Sequence, residues 1–445
     1  MFQMGFRRTV LLLILLSHDS SRGTPGDEFW DDRFDALGVE GEVWAIVVIG
    51  NDTYVGGQFT KAGRVDVANI ARWDGRNWWA LGSGVDRAGV RTLAVSGTNL
   101  YVGGFFNQAG DTAASWIARW DGSKWSDFGG GVNGSVRSLL VTGGDLYVGG
   151  SFSYAVGNAG GVVASNVARW NGGNWAALDD GVGQVISSIG GNYVDLASVF
   201  ALATDGNEVY VGGRFLKAGG LNVTNLARWN GTKWGTLRHS SEIIGGVQAL
   251  AIHGGLLYVG GFFWTDAHGG QTNFAAWNGV NWLSPGGGLG GQQRGTVNSL
   301  AVAEDGVFVG GAGFEKLQSR NLVKWNGVEW EGLGSGLTAG GEVNALAVKG
   351  NQLFVGGRFG VAGGKPARNF SIWHIAEKLR IQRSPNAVEL SWPVSLSNVV
   401  LEASAQLAST NWTAVGKSPA LQDGQLSIAD QISAPQQFYR LRKKP

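Results

Sequence analysis

The 445-residue sequence contains no cysteine. It therefore has no disulfides, no thiolate metal ligands, no cysteine nucleophile and no cysteine for lipid attachment. Histidine is scarce too: outside the N-terminal segment there are only His239, His253, His268 and His374, and none of these forms a two-histidine metal motif on one element. We expect neither a metal site nor a cofactor, and stability must come from packing.

Excess charge and long hydrophobic runs are also missing. The 35 basic and 34 acidic residues give a net charge of +1, and no dense basic run precedes the last six residues, which argues against nucleic acid as a partner. The apolar run at residues 10–16 follows Arg7 and Arg8. This pattern resembles a secretory signal and is too short to span a membrane. We expect residues 1–26 to be a signal peptide or a disordered N-terminus, and the protein to be exported without a transmembrane segment.

Glycine and tryptophan, by contrast, are abundant. The chain has 75 glycines and 20 tryptophans, and 44% of its residues are hydrophobic. Such a supply of core-forming side chains excludes collagen-like or disordered chains. The glycines must punctuate turns in a folded protein.

The sequence repeats. The tripeptide Val-Gly-Gly occurs seven times, ending at Gly57, Gly104, Gly150, Gly213, Gly261, Gly311 and Gly357. Each copy follows the template V-x-x-L-A-V, L-Y-V-G-G-x-F, N-I-A-R-W, D-G, W-x-x-L-G, which contains four short alternating runs separated by turn residues. No helical periodicity is sustained, so the period indicates propeller blades rather than a helical solenoid.

Paired tryptophans mark the end of each repeat. Asp-Gly or Asn-Gly always lies between two tryptophans that are five residues apart, and this dipeptide favours a tight hairpin turn. The pairs are Trp73 and Trp78, Trp120 and Trp125, Trp170 and Trp175, Trp229 and Trp234, Trp277 and Trp282, and Trp325 and Trp330. We therefore assign them to the third and fourth strands of each blade, as core rather than as a carbohydrate platform.

The Gly-Gly pair and the first repeat predict how the blades assemble. Glycine inside a strand allows close backbone approach, so we expect Gly-Gly to make room for neighbouring strands. Residues 34–38 read F-D-A-L-G, a fourth strand without its own blade, whereas the last third strand, residues 369–373, has no fourth strand after it. We predict that the strand at residues 33–38 completes the last blade and closes the ring.

The repeat resembles known families. The hydrophobic-Gly-Gly strand with a downstream tryptophan is similar to Kelch repeats of the galactose-oxidase type, and N-I-A-R-W-D-G with L-Y-V-G-G-x-F is closer to repeats of the fungal cortical polarity marker family and its bacterial relatives. The resemblance covers about residues 30–375 and implies a seven-bladed propeller. The Tyr-Cys copper cofactor of such oxidases is impossible here, because the chain has no cysteine. The hairpin turns are also similar to the Asp-box of sialidases, but the acid here, as in Asp74-Gly75, lies one residue away from its position in that motif. The recurring arginines Arg72, Arg119, Arg169 and Arg228 are predicted to be scaffold.

The repeat stops after Trp373. Six short alternating runs follow, at residues 379–383, 387–392, 399–403, 412–415, 425–428 and 437–442. This spacing predicts a small immunoglobulin-like or fibronectin-like β-sandwich at residues 376–445, with Trp392 and Trp412 in its core. The expected fold is therefore all-β, a seven-bladed β-propeller followed by a small β-sandwich.

Departures from the repeat are the candidate binding residues, since loops on a rigid frame carry most function. Aromatic and acidic side chains in these insertions suit a sugar or peptide, although ordinary solvated loops would look the same. The candidates are Tyr154, Asp179, Asp180, Tyr193, Trp264, Asp266 and His268. We predict no catalytic residue.

These features predict an exported, monomeric, non-enzymatic scaffold at the cell surface that binds a protein or glycan. The alternative is a secreted carbohydrate-active or oxidoreductase enzyme with its site on the same loops. Two or three acids converging with Arg or His at the channel rim would favour the enzyme, and scattered loop acids would favour the scaffold.

Overall fold

The computed structural model describes residues 9–12, 24–156, 161–183, 186–189, 192–237, 243–265, 270–289, 295–375, 380–383, 387–393, 399–406, 411–422, 425–431 and 436–443. The chain divides into two compact units, residues 23–374 and residues 1–22 with 375–445. In the part of the chain that is described, no helix is long and apolar enough to cross a membrane.

The large unit consists of consecutive antiparallel sheets, here named A to G, whose strands follow one another in chain order from first to fourth. Sheet G alone has three strands of its own. Sheet A comprises Val39–Ile49, Asp52–Ala62, Ile70–Trp73 and Trp78–Ala80; B, Gly89–Ser96, Asn99–Phe105, Ile117–Trp120 and Trp125–Asp127; C, Ser135–Thr142, Asp145–Ser151, Val167–Trp170 and Trp175–Ala177. Sheet D comprises Ser198–Thr204, Val209–Arg214, Leu226–Trp229 and Trp234–Gly235; E, Ile244–His253, Leu256–Thr265, Phe274–Trp277 and Trp282–Leu283; F, Thr296–Ala303, Gly306–Lys316, Ser319–Trp325 and Trp330–Gly332; G, Glu342–Lys349, Gln352–Arg358 and Phe370–His374.

The large unit also contains short helical turns and short strands. Three single helical turns occur in the described residues, at Asp27–Phe29, Phe34–Leu37 and Pro285–Gly287. The short strands are Val65–Asp66, Gln108–Ala109, Thr112–Ala113, Tyr154–Ala155, Val162–Val163, Val182–Gly183, Ile186–Ile189, Asn192–Asp195, Lys217–Ala218, Leu221–Asn222, Gly270–Gln271, Val361–Ala362 and Lys365–Pro366.

The tryptophan pairs occupy the hairpin between third and fourth strands, as predicted. Trp73 and Trp78 face each other in register with ring centroids 5.2 Å apart, and the turn glycine Gly75 has a positive φ of 97°. The indole Nε1 of the fourth-strand residue reaches the preceding sheet; Trp125, for example, donates to the Leu81 carbonyl at 2.8 Å. Trp78, Trp125, Trp175 and Trp234 connect neighbouring sheets in this way, whereas the buried Trp330 Nε1 has no hydrogen-bond partner among the residues that the structure describes.

Gly-Gly is required for sheet packing. A Cβ at Gly212 would lie 2.5 Å from Cγ1 of Val247 in the next sheet, and one at Gly213 would lie 2.1 Å from the Ser198 carbonyl oxygen in its own sheet. A Cβ at the equivalent Gly356 of sheet G would lie 2.3 Å from Cγ1 of Val43 in sheet A. The first strands of A to G lie side by side, with that of G next to that of A. Small sheets arranged around an axis in this way form a β-propeller fold.

An asparagine before the third strand clamps neighbouring sheets together. Asn225 has a positive φ of 62°, accepts a hydrogen bond from the Phe215 N–H at 3.1 Å and donates to the Ile243 carbonyl at 2.9 Å. Asn369 makes the same connection from sheet G to the Val39 carbonyl of sheet A at 3.0 Å. The residues in this conformation at the same repeat position are Asn69, Asn166, Asn225, Asn273, Asn321 and Asn369.

The predicted closing strand at residues 33–38 is wrong. Phe34–Leu37 is a helical turn, and Trp30 instead pairs antiparallel with Trp373 of sheet G. Trp30 also donates its indole N–H to the Leu333 carbonyl, as fourth-strand tryptophans do. In the repeat this tryptophan and the leucine are three residues apart, whereas Trp30 and Leu37 are seven apart. The four extra residues form one helical turn, which leaves Leu37 in its usual place as acceptor for Trp78 Nε1 at 2.6 Å.

The smaller unit contains two four-stranded sheets. One comprises Thr9–Leu12, Gln436–Lys443, Val399–Ser404 and Thr413–Ala414, and the other Arg380–Arg383, Ala387–Pro393, Gln425–Gln431 and Ala420–Gln422. Residues of both sheets share one core, which includes Trp392 as predicted. Trp412 is only half-buried and lies beneath Arg440, 4.4 Å from the guanidinium carbon, so its assignment to the core is wrong.

Candidate functional site

The first strand of every sheet carries a β-bulge at the same place. The register shifts immediately after the repeat valine, for instance between Val43 and Ala45 in sheet A and between Val343 and Ala345 in sheet G. A bulge inserts one unpaired residue and redirects its side chain. The bulged residues are Trp44, Arg91, Arg137, Phe200, Gln248, Asn298 and Asn344, here called the bulge ring.

The bulge ring lines a central cavity. All of its members, together with Glu42, Phe262, Thr296 and Glu342, surround a volume of about 610 Å³. This size is typical of small-molecule sites. The surrounding scaffold repeats from sheet to sheet but the ring does not, since it combines two aromatic, two cationic and three amide side chains.

Two arginines form a cationic sector on sheets B and C. The Arg91 guanidinium lies over Trp44, 3.4 Å from the ring centroid, and that of Arg137 lies 5.4 Å from the Phe200 centroid. Neither arginine has an ion-pair or hydrogen-bond partner among the described residues. Burial lowers the pKa of both, and the charge of Arg137 lowers the pKa of Arg91 further. Arginine remains protonated despite such shifts, so this sector holds two positive charges, and the nearby Glu42 partly offsets that of Arg91.

A carboxylate sector lies on sheets A and G. Arg358 donates to Glu342 at 2.9 Å, and its Nε is 3.6 Å from a Glu42 oxygen. Glu42 also accepts the indole N–H of Trp44 at 3.0 Å. The hydrogen bond from Arg358 to Glu342 raises the pKa of the guanidinium. Both acids are thus bound by neighbours, and each still has free oxygen lone pairs.

The amides form the third sector. Asn298 donates to the Asn344 side-chain oxygen at 3.2 Å and accepts from the Thr296 hydroxyl at 3.2 Å. Gln248 has no side-chain partner in the described structure and lines the cavity beside Phe262. These groups can both donate to and accept from a polar ligand.

An aromatic pair, exposed Phe105 and half-buried Trp116, lies at the same end of sheet B. Trp116 occupies the position of the clamping asparagine with φ of 68°, an unfavourable conformation for a bulky side chain. Its ring packs edge-on against Phe105 at 4.6 Å. Phe105 is opposite Gly89, two residues before Arg91, so the pair borders the cationic sector along the sheet.

The structure does not gather the sequence-predicted residues into one site. Tyr154 is half-buried in a short hairpin, with its ring against Gly161, whereas Asp179 and Asp180 are exposed in a turn after sheet C. Tyr193 and Trp264 lie in strands, but their side chains are outside the described residues, as are Asp266 and His268 altogether. A binding role for these seven residues stays a prediction.

Sequence reasoning missed the bulge ring, although a signal was present. In the template V-x-x-L-A-V the valine is invariant and the second residue after it is always Ala, Ser or Thr, whereas the residue between them has five identities: Trp44, Arg91, Arg137, Phe200, Gln248, Asn298 and Asn344. Such a variable position inside a repeated strand indicates a site, whereas the prediction relied on insertions. The recurrent arginines do behave as scaffold: Arg72 pairs with Asp52 at 3.1 Å and Arg228 with Glu208 at 3.0 Å.

No protein-family model matches the chain. No curated protein matches it either. Among solved structures, the β-propeller domain of the Trilobed protease from Pyrococcus furiosus is 11% identical and covers 76% of this chain and 97% of its own, with a TM-score of 0.44. The computationally designed Ika8 protein is 14% identical, with coverage of 76% and 98% and a TM-score of 0.40. A chain of the Nidogen/Laminin complex is 11% identical, with coverage of 60% and 84% and a TM-score of 0.34. Likenesses this distant say nothing about what the chain binds.

Proposed function

We propose that this protein is an exported, non-enzymatic binding scaffold in which sheets A to G form a closed seven-bladed propeller, followed by a C-terminal β-sandwich. Its ligand is a glycan or protein at the cell surface, and the binding site is the mouth of the central cavity. Closure is supported by two contacts that join other neighbouring sheets and are also found between sheets G and A. These are the close approach of Gly356 to Val43 and the hydrogen bond from Asn369 to the Val39 carbonyl.

The observation that carries the binding site is the bulge ring. The bulged position holds five different residue types in the seven repeats although the valine before it is invariant, and all seven of its side chains line one cavity. A purely structural position in a repeat keeps the same residue because its neighbours are the same. Diversity at a cavity is what selective recognition requires.

A second function is favoured by Glu42 and Glu342. Two acids that converge with an arginine at the channel are the feature that would indicate an enzyme, and paired carboxylates serve glycoside hydrolysis. Here, however, Arg358 lies between them and contacts both. Glu342→Gln should leave glycan binding measurable; release of new reducing ends by the wild type that disappears in Glu342→Gln would establish the enzyme instead.

A glycan and secretome binding screen on the full chain tests the proposed site. Gln248→Trp places a bulky ring in the cavity without removing a hydrogen bond, and it should abolish retention of the captured ligand while thermal unfolding is unchanged. Tyr154→Ala with Trp264→Ala alters the predicted loop face. Loss of binding in the loop variant with full binding by Gln248→Trp would move the site away from the cavity.

A further inference from the structure

The cationic sector points to a particular ligand chemistry. Arg91 and Arg137 lie side by side along the ring, are solvent-exposed and line the cavity. Neither forms a hydrogen bond or ion pair with a described carboxylate, although the charge of Glu42 acts on Arg91. The guanidinium carbons of Arg91 and Arg137 lie over the rings of Trp44 and Phe200. Because neither guanidinium donates to a described residue, its N–H groups are left for a ligand. Guanidinium edges match the two oxygens of a carboxylate, so the ligand carries an anionic group of this kind.

The opposite sector limits the ligand to one such charge. The cavity lining carries two guanidiniums, Arg91 and Arg137, and two carboxylates, Glu42 and Glu342. Arg358 is not a lining residue but forms ion pairs with both carboxylates, so these five groups together have a net charge of +1. One negative charge neutralises the site. A second would face the two glutamates and be repelled.

The remaining cavity groups favour hydroxyls. Free lone pairs on Glu42 and Glu342 accept hydrogen bonds, and the amides Gln248, Asn298 and Asn344 donate as well as accept. Sugar hydroxyls do both and can satisfy carboxylates and amides together. A volume of about 610 Å³ accommodates one or two sugar rings. The exposed ring of Phe105, supported by the half-buried Trp116, offers an aromatic face for a chain leaving the cavity beside sheet B.

We propose that the cavity binds a singly charged acidic sugar, with the uronate carboxylate on Arg91 and Arg137 and the hydroxyls on the glutamate and amide sectors. This inference rests on the proposed function, because it assumes that the cavity mouth is the binding site. It names the ligand class that the scaffold would recognise on a surface glycan.

Calorimetric titration of the full chain tests the assignment with three probes: a disaccharide containing one glucuronate, the same disaccharide with its carboxyl reduced to a hydroxymethyl group, and a tetrapeptide with one aspartate, acetylated at its N-terminus and amidated at its C-terminus so that it carries a single negative charge. The acidic disaccharide should bind, and the reduced one should bind at least 10-fold more weakly. Arg91→Gln and Arg137→Gln should each weaken the acidic probe by about 10- to 100-fold, the loss expected for a charged hydrogen bond. Arg76→Gln, in the hairpin turn at the other end of sheet A, should bind like the wild type.

The outcomes separate the two proposals. Equal binding of both disaccharides, tighter binding of the peptide, or no binding of any probe overturns the acidic-sugar assignment. The cavity proposal is tested separately by Gln248→Trp. Loss of retention of the ligand that the binding screen captures supports the cavity as the binding site, and unchanged retention contradicts it. Unfolding curves of all variants must match the wild type, and Arg91→Lys, which keeps the charge without the two-pronged edge, should recover part of the affinity.

Discussion

At the scale of single residues, asparagines with a left-handed backbone conformation hold neighbouring sheets together. The short amide of asparagine tolerates positive φ better than other side chains, and its two polar ends join a strand of one sheet to the segment entering the next. Trp116 is the exception: it has the same backbone conformation, with φ of 68°, and no amide. The Phe106 N–H and Val132 carbonyl, which an asparagine would contact by analogy with Asn69, lie at the equivalent positions.

Trp116→Asn should therefore stabilise the protein. Two regained hydrogen bonds contribute about 2 kcal/mol, and loss of the aromatic contact with Phe105 costs about 0.5 to 1.5 kcal/mol. We expect a net gain near 1 kcal/mol in the free energy of unfolding, measured by urea denaturation. Trp116→Ala, which loses the contact without restoring the clamp, should be destabilised. A less stable Trp116→Asn would show that the tryptophan itself holds this corner of sheet B.

Sequence reasoning worked at the residue scale where the chemistry was local. The Asp-Gly and Asn-Gly turns and the paired tryptophans could be assigned because turn type follows from two residues. The clamp could not, because its first partner lies 7 to 14 residues before the asparagine and its second lies 16 or more residues after it, or near the start of the chain for Asn369. The bulge ring escaped for a related reason: only the assembled sheets bring its residues to one cavity.

At the scale of the element, the second strand of each sheet depends on glycine for contact with its neighbour. Gly212 lies against Val247 of sheet E, where an added methyl group would be 2.5 Å from Cγ1. A real Cβ cannot approach a carbon this closely, so the two sheets would have to move apart.

Gly212→Ala should lower the free energy of unfolding by about 1 to 3 kcal/mol, the usual cost of overpacking. Gly220→Ala is the matched control, since no atom lies within 4 Å of the added Cβ and the φ of Gly220 is not positive. Urea denaturation followed by tryptophan fluorescence compares the two. Equal stability of both variants would mean that the sheets are packed more loosely than described.

At the scale of the whole molecule, the joint between the first and last sheets was predicted only approximately from the sequence. The need for an N-terminal fourth strand on sheet G was foreseen, because the repeat template lacked one there. The residues were misassigned because F-D-A-L-G keeps the template spacing, whereas the true aromatic residue, Trp30, precedes a four-residue insertion. Asp31 lies in this joint: its N–H donates to Ile372, and its buried carboxylate accepts from Arg33 and lies 3.6 Å from His374.

Acid should weaken this joint. Burial opposes ionisation of Asp31, but hydrogen bonds from His374 and Arg33 outweigh it and hold the pKa well below the ordinary 3.8. A lowered folded-state pKa gives stability that is complete above the unfolded value and is lost as the pH falls below it. Between pH 4 and pH 2 the wild type should therefore lose more stability than Asp31→Asn, as measured by thermal unfolding. Parallel losses would show that this carboxylate does not contribute.

Trp30 tests whether the joint stabilises the molecule as a whole. Its side chain is 1% exposed, packs edge-on against Trp373 at 5.4 Å and donates to the Leu333 carbonyl, so it contacts sheets F and G from the start of the chain. Trp30→Ala should lower the free energy of unfolding by about 3 to 5 kcal/mol, as expected for truncation of a buried tryptophan. Trp79→Ala is the control, because that ring is 48% exposed and should cost far less. Should the two variants unfold at the same urea concentration, the joint between the first and last sheets would not depend on this contact, and the other contacts between them, such as the Asn369 clamp and the approach of Gly356 to Val43, would be sufficient.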